Sequence, residues 1–219
     1  MTGSMRDSTP PVFGERFRND LAALIAWRRD VRRFSDRKVP QSLIDGLLDI
    51  AQLSQSVGNS QPWRWVQVVS SGKRGEVRAN FAASNAAACR AQPEDRARAY
   101  AALKLEGLER APVQFAVFCD PATEQGSGLG CHSMPEMLCY STAVMIGTFW
   151  LAARAAGIGV GWVSIVDPAG ISRILDAPPA WKLIAYLCVG WPENEHLDPE
   201  LERHGWQSRT GIGRQVRIV

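Results

Sequence analysis

The sequence predicts an α+β domain, helices first and strands later. Three observations carry this. Two segments with helical periodicity precede any strand signal. Four short apolar or β-branched runs then follow, separated by helices of unequal length. No G-x-G-x-x-G follows a strand, and no G-x-x-x-x-G-K-S/T occurs, so Rossmann and P-loop arrangements are excluded. The 219 residues are 46% hydrophobic and 21% charged, ordinary values for a globular chain. A chain this long buries roughly 70% of its unfolded surface and needs no disulfide or metal to stay folded.

The elements follow in order. Residues 1–15 are rich in Ser, Thr and Pro and read as loose. Leu21, Leu24, Ile25 and Arg28 share one helical face. Pro40 opens a second helix, with Leu43, Leu47, Leu48 and Ala51 at core spacing. Residues 54–63 are dense in turn formers. Residues 64–69 alternate as a strand. Residues 73–110 are rich in Ala, Arg and Glu and read as two helices broken near Pro93. Residues 113–119 are a buried strand, and 120–135 a Gly-rich loop carrying Cys131 and His132.

A long helix runs from Pro135 to a Gly157 cap. Its uncharged stretch, 137–153, approaches the length of a membrane span. Cys139, Tyr140, Ser141, Thr142 and Thr148 interrupt it, so a buried helix is expected. Residues 158–166 are the third strand, followed by a turn at Asp167-Pro168-Ala169-Gly170 and a short helix over 171–176. Residues 183–189 are the last core strand. The organisation is therefore a loose segment 1–15, a domain 16–192 and a polar arm 193–219. The arm's end (215–219) alternates like an edge strand. With little to pack on in its own subunit, the arm is expected to cross onto a partner.

Charge narrows the function classes. With 25 basic and 22 acidic residues the net charge is +3, too small an excess for a general nucleic-acid binder. Five cysteines without a C-x-x-C pair read as reduced thiols in a cytoplasmic protein. No signal-peptide core opens the sequence. His132, His196 and His204 lack metal-ligand spacing, and there is no G-x-S-x-G elbow.

Three segments could carry chemistry. Arg28-Arg29-Asp30-Val31-Arg32-Arg33 places four arginines in six residues. It reads either as a solvated basic turn or as an anion clamp with charge-assisted hydrogen bonds. Asp30 either neutralises its neighbours or faces a ligand beyond them. In the 54–63 loop, small hydroxyls, Gly58 and Asn59 could bring backbone N–H groups to a polar ligand, or the segment is simply a loop. Gly157, Gly159 and Gly161 leave one strand face bare, open to a flat ligand or to tight packing.

Together the three segments resemble the nitroreductase family of flavin-binding proteins. Its R-R-S-x-R-x-F opening is similar to Arg28-Arg29-Asp30-Val31-Arg32-Arg33-Phe34, and its S-x-x-N-x-Q-P-W loop to Ser56-Val57-Gly58-Asn59-Ser60-Gln61-Pro62-Trp63. The resemblance spans about residues 17–209. Asp30 stands where that family usually has serine. With that aspartate, Ala-Pro-Val-Gln (111–114), Phe-Cys-Asp-Pro (118–121), Gly-Val-Gly-Trp-Val-Ser (159–164) and Ala-Tyr-Leu-Cys-Val-Gly (185–190) resemble one branch. That branch fragments reduced FMN with O2 to 5,6-dimethylbenzimidazole, the lower ligand of cobalamin. Asn59 stands where the branch often has an aromatic.

The resemblance implies a nitroreductase-like fold with a central mixed sheet flanked by helices, in a domain-exchanged homodimer with FMN at the interface. It implies Arg28, Arg29, Asp30, Val31, Arg32, Ser56, Gly58, Asn59, Leu105, Val163, Ser164 and Arg209 as FMN-binding residues. Ser56 and Asn59 would come from the second subunit. Asp30 would be the acid/base at the ribityl end, and Ser164 would hydrogen-bond flavin N5 or orient oxygen. Erythrose 4-phosphate would be released, a separate flavin reductase would supply reduced FMN, and part of 80–108 would form a lid. No metal, nucleic acid or membrane is implied. The alternative within the family is an NAD(P)H-dependent nitro- or quinone reductase. Outside it stand a non-catalytic flavin binder and an RNA binder using the arginine cluster.

Overall fold

The computed structural model describes residues 10–103, 107–210 and 216–219. Helix α1 (Glu15–Trp27) leads to α2 (Gln41–Ala51), which buries Ile44, Leu47 and Ala51 on one face. Strand β1 (Trp63–Gln67) is followed by α3 (Ser71–Arg90), α4 (Glu94–Ala102) and α5 (Gly107–Arg110). Pro93 caps α4, as expected where the chain breaks between helices. Then come β2 (Val113–Cys119), α6 (Met137–Ala155), β3 (Gly159–Val163), α7 (Pro168–Ile174), β4 (Lys182–Gly190) and α8 (Glu200–Arg203). Helix α7 begins earlier than the expected 171, because Asp167 accepts hydrogen bonds from the N–H groups of Ala169 and Gly170 and nucleates it.

The sheet order is β1-β2-β4-β3 and every pairing is antiparallel. This corrects the expected mixed sheet. The parallel character is confined to one isolated bridge, Asp30 to Val160, on the open edge of β3. The two central strands are buried on both faces. Phe115, Val117, Leu187 and Val189 pack with α2 and α6, whereas Phe118, Tyr186 and Cys188 pack with Val77 of α3 and Ile171 of α7. The sheet is thus the middle of three layers, and α6 is the spine of one of them.

Helix α6 buries Leu138, Thr142, Met145, Ile146, Phe149 and Ala153 along one stripe. Among the described residues no helix is long and apolar enough to cross a membrane. By contrast α1 buries none of its residues. Phe13, Phe17, Leu21 and Ile25 leave an apolar stripe exposed, and Tyr140 and Val144 of α6 are exposed as well.

Two features of the arm are seen within this chain. Its first part rests on its own subunit: the Glu193 N–H bonds the Arg33 carbonyl, Arg154 pairs with Glu195 at 2.5 Å, and Trp206 packs edge-on to Tyr100. Its last residues, 216–219, form no strand and are exposed. Among the described residues their alternation joins no ladder. Leu105, expected in the site, lies outside the described residues.

Candidate active site

The arginine segment is built by a helix end and a strand edge. Helix α1 stops at Trp27, and the Arg28 N–H still bonds the Leu24 carbonyl. The chain then turns extended and runs beside β3. There the Val31 N–H bonds the Val160 carbonyl at 3.0 Å. Asp30 Oδ1 accepts the next outward-facing N–H of that edge, from Trp162, at 2.8 Å. A side chain therefore completes the ladder where no strand continues. Phe34, fully buried, pins the far end of the segment in the core.

The bare glycine face is filled by this same segment. A Cβ on Gly161 would sit 2.2 Å from the Val31 carbonyl oxygen, and one on Gly159 2.8 Å from Val31 Cγ2. Of the two readings, tight packing holds at these positions, but the packing partner is the arginine segment rather than a helix.

The basic side chains converge without enough anions. Arg29 Nε donates to the Leu197 carbonyl at 2.6 Å. Burial, and then the guanidiniums of Arg209 and Arg28, hold Arg29 below the usual arginine range. Arg28 lies 5.0 Å over the Trp150 ring. Arg32 is mostly buried; its Nε donates to Asp30 Oδ2 at 3.1 Å, and its Nη1 is buried with no partner. Arg29, Asp30 and Arg32 border a cleft of about 260 Å³ between α1, the end of α6 and the arm, walled also by Trp150, Gly159, His196 and His204. A smaller hollow of about 20 Å³ lies among Asp30, Gly107, Val163 and Cys188. There burial pushes the Cys188 thiol up, and the Asp30 charge pushes it further. Ser164 is exposed just beyond the end of β3.

Ser56, Gly58 and Asn59 are elsewhere. The Val57 N–H donates to Ser141 Oγ near the start of α6, whereas Arg28 stacks on Trp150 near its other end. At 1.5 Å per residue the two contacts are about 14 Å apart along the helix. Within one chain the two motifs do not meet. The loop's backbone N–H groups are also occupied. Those of Val57, Asn59, Ser60 and Gln61 bond Ser141 Oγ, the Ser56 and Val57 carbonyls and Ser56 Oγ. The expected backbone cradle is thus spent inside the loop at these positions, and Asn59 presents an exposed side chain instead.

Sequence reading missed Trp150, Leu197 and Glu200. Trp150 was legible only as one residue of a buried helix. The arm residues carry no periodic or motif signal, and a carbonyl such as that of Leu197 has none in any sequence. His196 and His204, read as scattered, both reach the cleft. Among the described residues no three His, Cys, Asp or Glu side chains are grouped to hold a metal.

The sequence profile of the nitroreductase family matches residues 25–191. The chain belongs to the nitroreductase family. Within that family it is similar to a 5,6-dimethylbenzimidazole synthase of Rhodospirillum rubrum, 55% identical over 92% of this chain and 95% of the relative. A 5,6-dimethylbenzimidazole synthase of Rhodobacter capsulatus is 46% identical over 89% of this chain and 94% of the relative. Among solved structures, an iodotyrosine deiodinase bound to FMN and 3-iodo-L-tyrosine shares the nitroreductase fold. Its TM-score is 0.72 at 21% identity, covering 90% of this chain and all of that one.

Proposed function

We propose that this nitroreductase-family protein is a 5,6-dimethylbenzimidazole synthase that consumes reduced FMN and molecular oxygen and releases erythrose 4-phosphate. The observation that carries the reading is Asp30: an aspartate at the heart of the arginine cluster, fixed at the edge of β3. The identity to relatives named for this reaction supports it over the NAD(P)H reductase alternative.

The residues present fit a phosphorylated, hydroxylated ligand. Burial, and then the guanidiniums of Arg209 and Arg28, lower the pKa of Arg29, and Arg32 keeps a buried N–H without a partner. Arg28, Arg29 and Arg209 would hold the phosphate, and Arg32 and Val31 the ribityl chain. Reduced FMN, as substrate, supplies the ring and the ribityl carbon that become the product. Asp30 moves the proton at the ribityl end, a role typically worth 10²–10⁴-fold. Val163 and Ser164 flank the flavin edge, with the Ser164 hydroxyl free to hydrogen-bond it. Ser56, Gly58 and Asn59 reach the site from a second copy. The exposed stripes of α1 and α6 suit such a homodimer. A separate flavin reductase delivers the reduced substrate.

Incubation of the purified protein with chemically reduced FMN in air, read by mass spectrometry, tests the proposal. We expect 5,6-dimethylbenzimidazole well above trace. Reoxidation to intact FMN, with rapid NADPH turnover, would move the protein to the reductases.

A further inference from the structure

We infer that Glu200, on the C-terminal arm, is a positioning residue for Asp30, acting through Arg32. The inference rests on the reading of Asp30 as the proton-transfer group. Asp30 Oδ1 is committed to the Trp162 N–H, so the placement of Oδ2 depends on Arg32. An arginine commonly meets a carboxylate through its two-pronged fork. Here the contact is made side-on, through Nε alone, at 3.1 Å. Glu200 Oε2 lies 3.8 Å from that same Nε. That separation is charge attraction rather than a hydrogen bond. The Arg32 and Glu200 side chains are only 14% and 15% exposed, so salt screens the pair little.

Arg32 Nη1 has no partner in the protein. No hydrogen bond at that nitrogen resists rotation of the guanidinium. The two carboxylates, one on the catalytic segment and one on the arm, set its pose between them. Glu200 is itself placed by α8, which begins with it, and by His204, whose Nε2 lies 3.5 Å from Glu200 Oε1. Among the described residues, Arg32 and His204 are the basic side chains that pair with Glu200. Without Glu200 the fork is free to turn onto Asp30. A bidentate pair would then draw the carboxylate off the Trp162 N–H and tie up the oxygen needed for proton transfer. The phosphate grip of Arg28, Arg29 and Arg209 would be untouched.

The test compares E200A, E200D and E193Q with the unmodified protein. Glu193 opens the arm and pairs with Arg110, away from the cleft, so E193Q perturbs arm docking alone. One readout is 5,6-dimethylbenzimidazole formation at saturating reduced FMN, beside the dissociation constant of oxidised FMN by fluorescence quenching. The other is the backbone amide shift of Trp162 in tryptophan-labelled protein, which reports the Asp30 hydrogen bond without any reaction. We expect E200A to move the Trp162 amide and lower kcat about tenfold, because small displacements of reacting groups are costly. FMN affinity should stay within about threefold, well under 1 kcal/mol. E200D should restore most of the rate, and E193Q should change neither readout. An unmoved Trp162 amide with normal kcat in E200A, equal damage in E193Q, or a loss confined to FMN affinity would overturn the inference. If the unmodified protein forms no 5,6-dimethylbenzimidazole, the functional reading falls. The Trp162 amide in E200A against E193Q still decides the role of Glu200.

Discussion

The two motif-bearing segments, 28–34 and 56–63, are held in opposite ways. The first is extended and lies on a strand edge. Its register is set by one backbone bond, Val31 to Val160, and one side-chain bond, Asp30 to Trp162. The second is coiled on itself, with Gly58, Asn59 and Gln61 all at positive φ. It is wedged backbone to backbone against the Gly-rich loop: a Cβ on Gly126 would lie 2.6 Å from the Gly58 carbonyl oxygen. The first leaves charged groups short of partners, while the second consumes most of its own. The difference assigns them different work. The arginine segment is a chemical surface that wants an anion. Under the proposed function, the loop is the projection that carries Asn59 and its neighbours to a second copy.

The largest expected effect is at Asp30. Asp30→Asn should lower product formation by at least about 100-fold while FMN binding is retained. The same variant can break the comparison. Mixed with a loop variant such as Gly58→Val, it should recover activity, because half of the sites in a mixed dimer carry neither lesion. No recovery in a verified mixed dimer would mean that both segments act within one chain. Next in size is the anion surface. Arg29→Ala or Arg209→Ala should weaken FMN binding about 10- to 100-fold, the range for a lost charged hydrogen bond. The salt dependence of FMN binding, measured by titration at several ionic strengths, should fall with it.

The glycines sharpen the comparison further. Gly161→Ala should cost about 3 kcal/mol in denaturant unfolding, the upper end for overpacking, since the obstructing atom is backbone. It should also displace Asp30 and abolish activity. Gly58→Ala should cost about 2 kcal/mol, from its left-handed φ and the nearby Leu129 carbonyl. Equal effects of both on the Trp162 amide would erase the distinction drawn here. The last effect lies in the shared core and shows only at high pH. Burial pushes the Cys119 thiol from 9.0 to about 12. The unfolded chain therefore loses this proton first as pH rises, and stability present in full below about pH 9 declines towards pH 12. Cys119→Ala should flatten the fall in unfolding free energy over that window.

Much of the fold was legible. Strand β2 coincides with the apolar run 113–119, and the helix break falls at Pro93, because burial on both faces and a missing N–H leave local marks. The candidate site was legible only in part. Arg28, Arg29, Asp30 and Arg32 stood out by charge density, and Arg209 only through the family resemblance. Glu200 and Trp150 did not, because one belongs to an arm without periodicity and the other to a helix that reads as core throughout.

The identity of the candidate reacting groups is local information. Charge, glycine spacing and the exchange of serine for aspartate at position 30 are properties of consecutive residues, and they survive without coordinates. What those residues touch is not local. Hydrogen bonds to the Trp162 amide and the Leu197 carbonyl end on backbone groups, which carry no signature of their residue type. The separation of 132 positions from Asp30 to Trp162 holds no pattern that foretells their pairing. The antiparallel sheet, the filling of the glycine face by Val31 and the return of the arm onto its own arginines were decided by packing, because only the folded chain determines which surfaces are left to be covered.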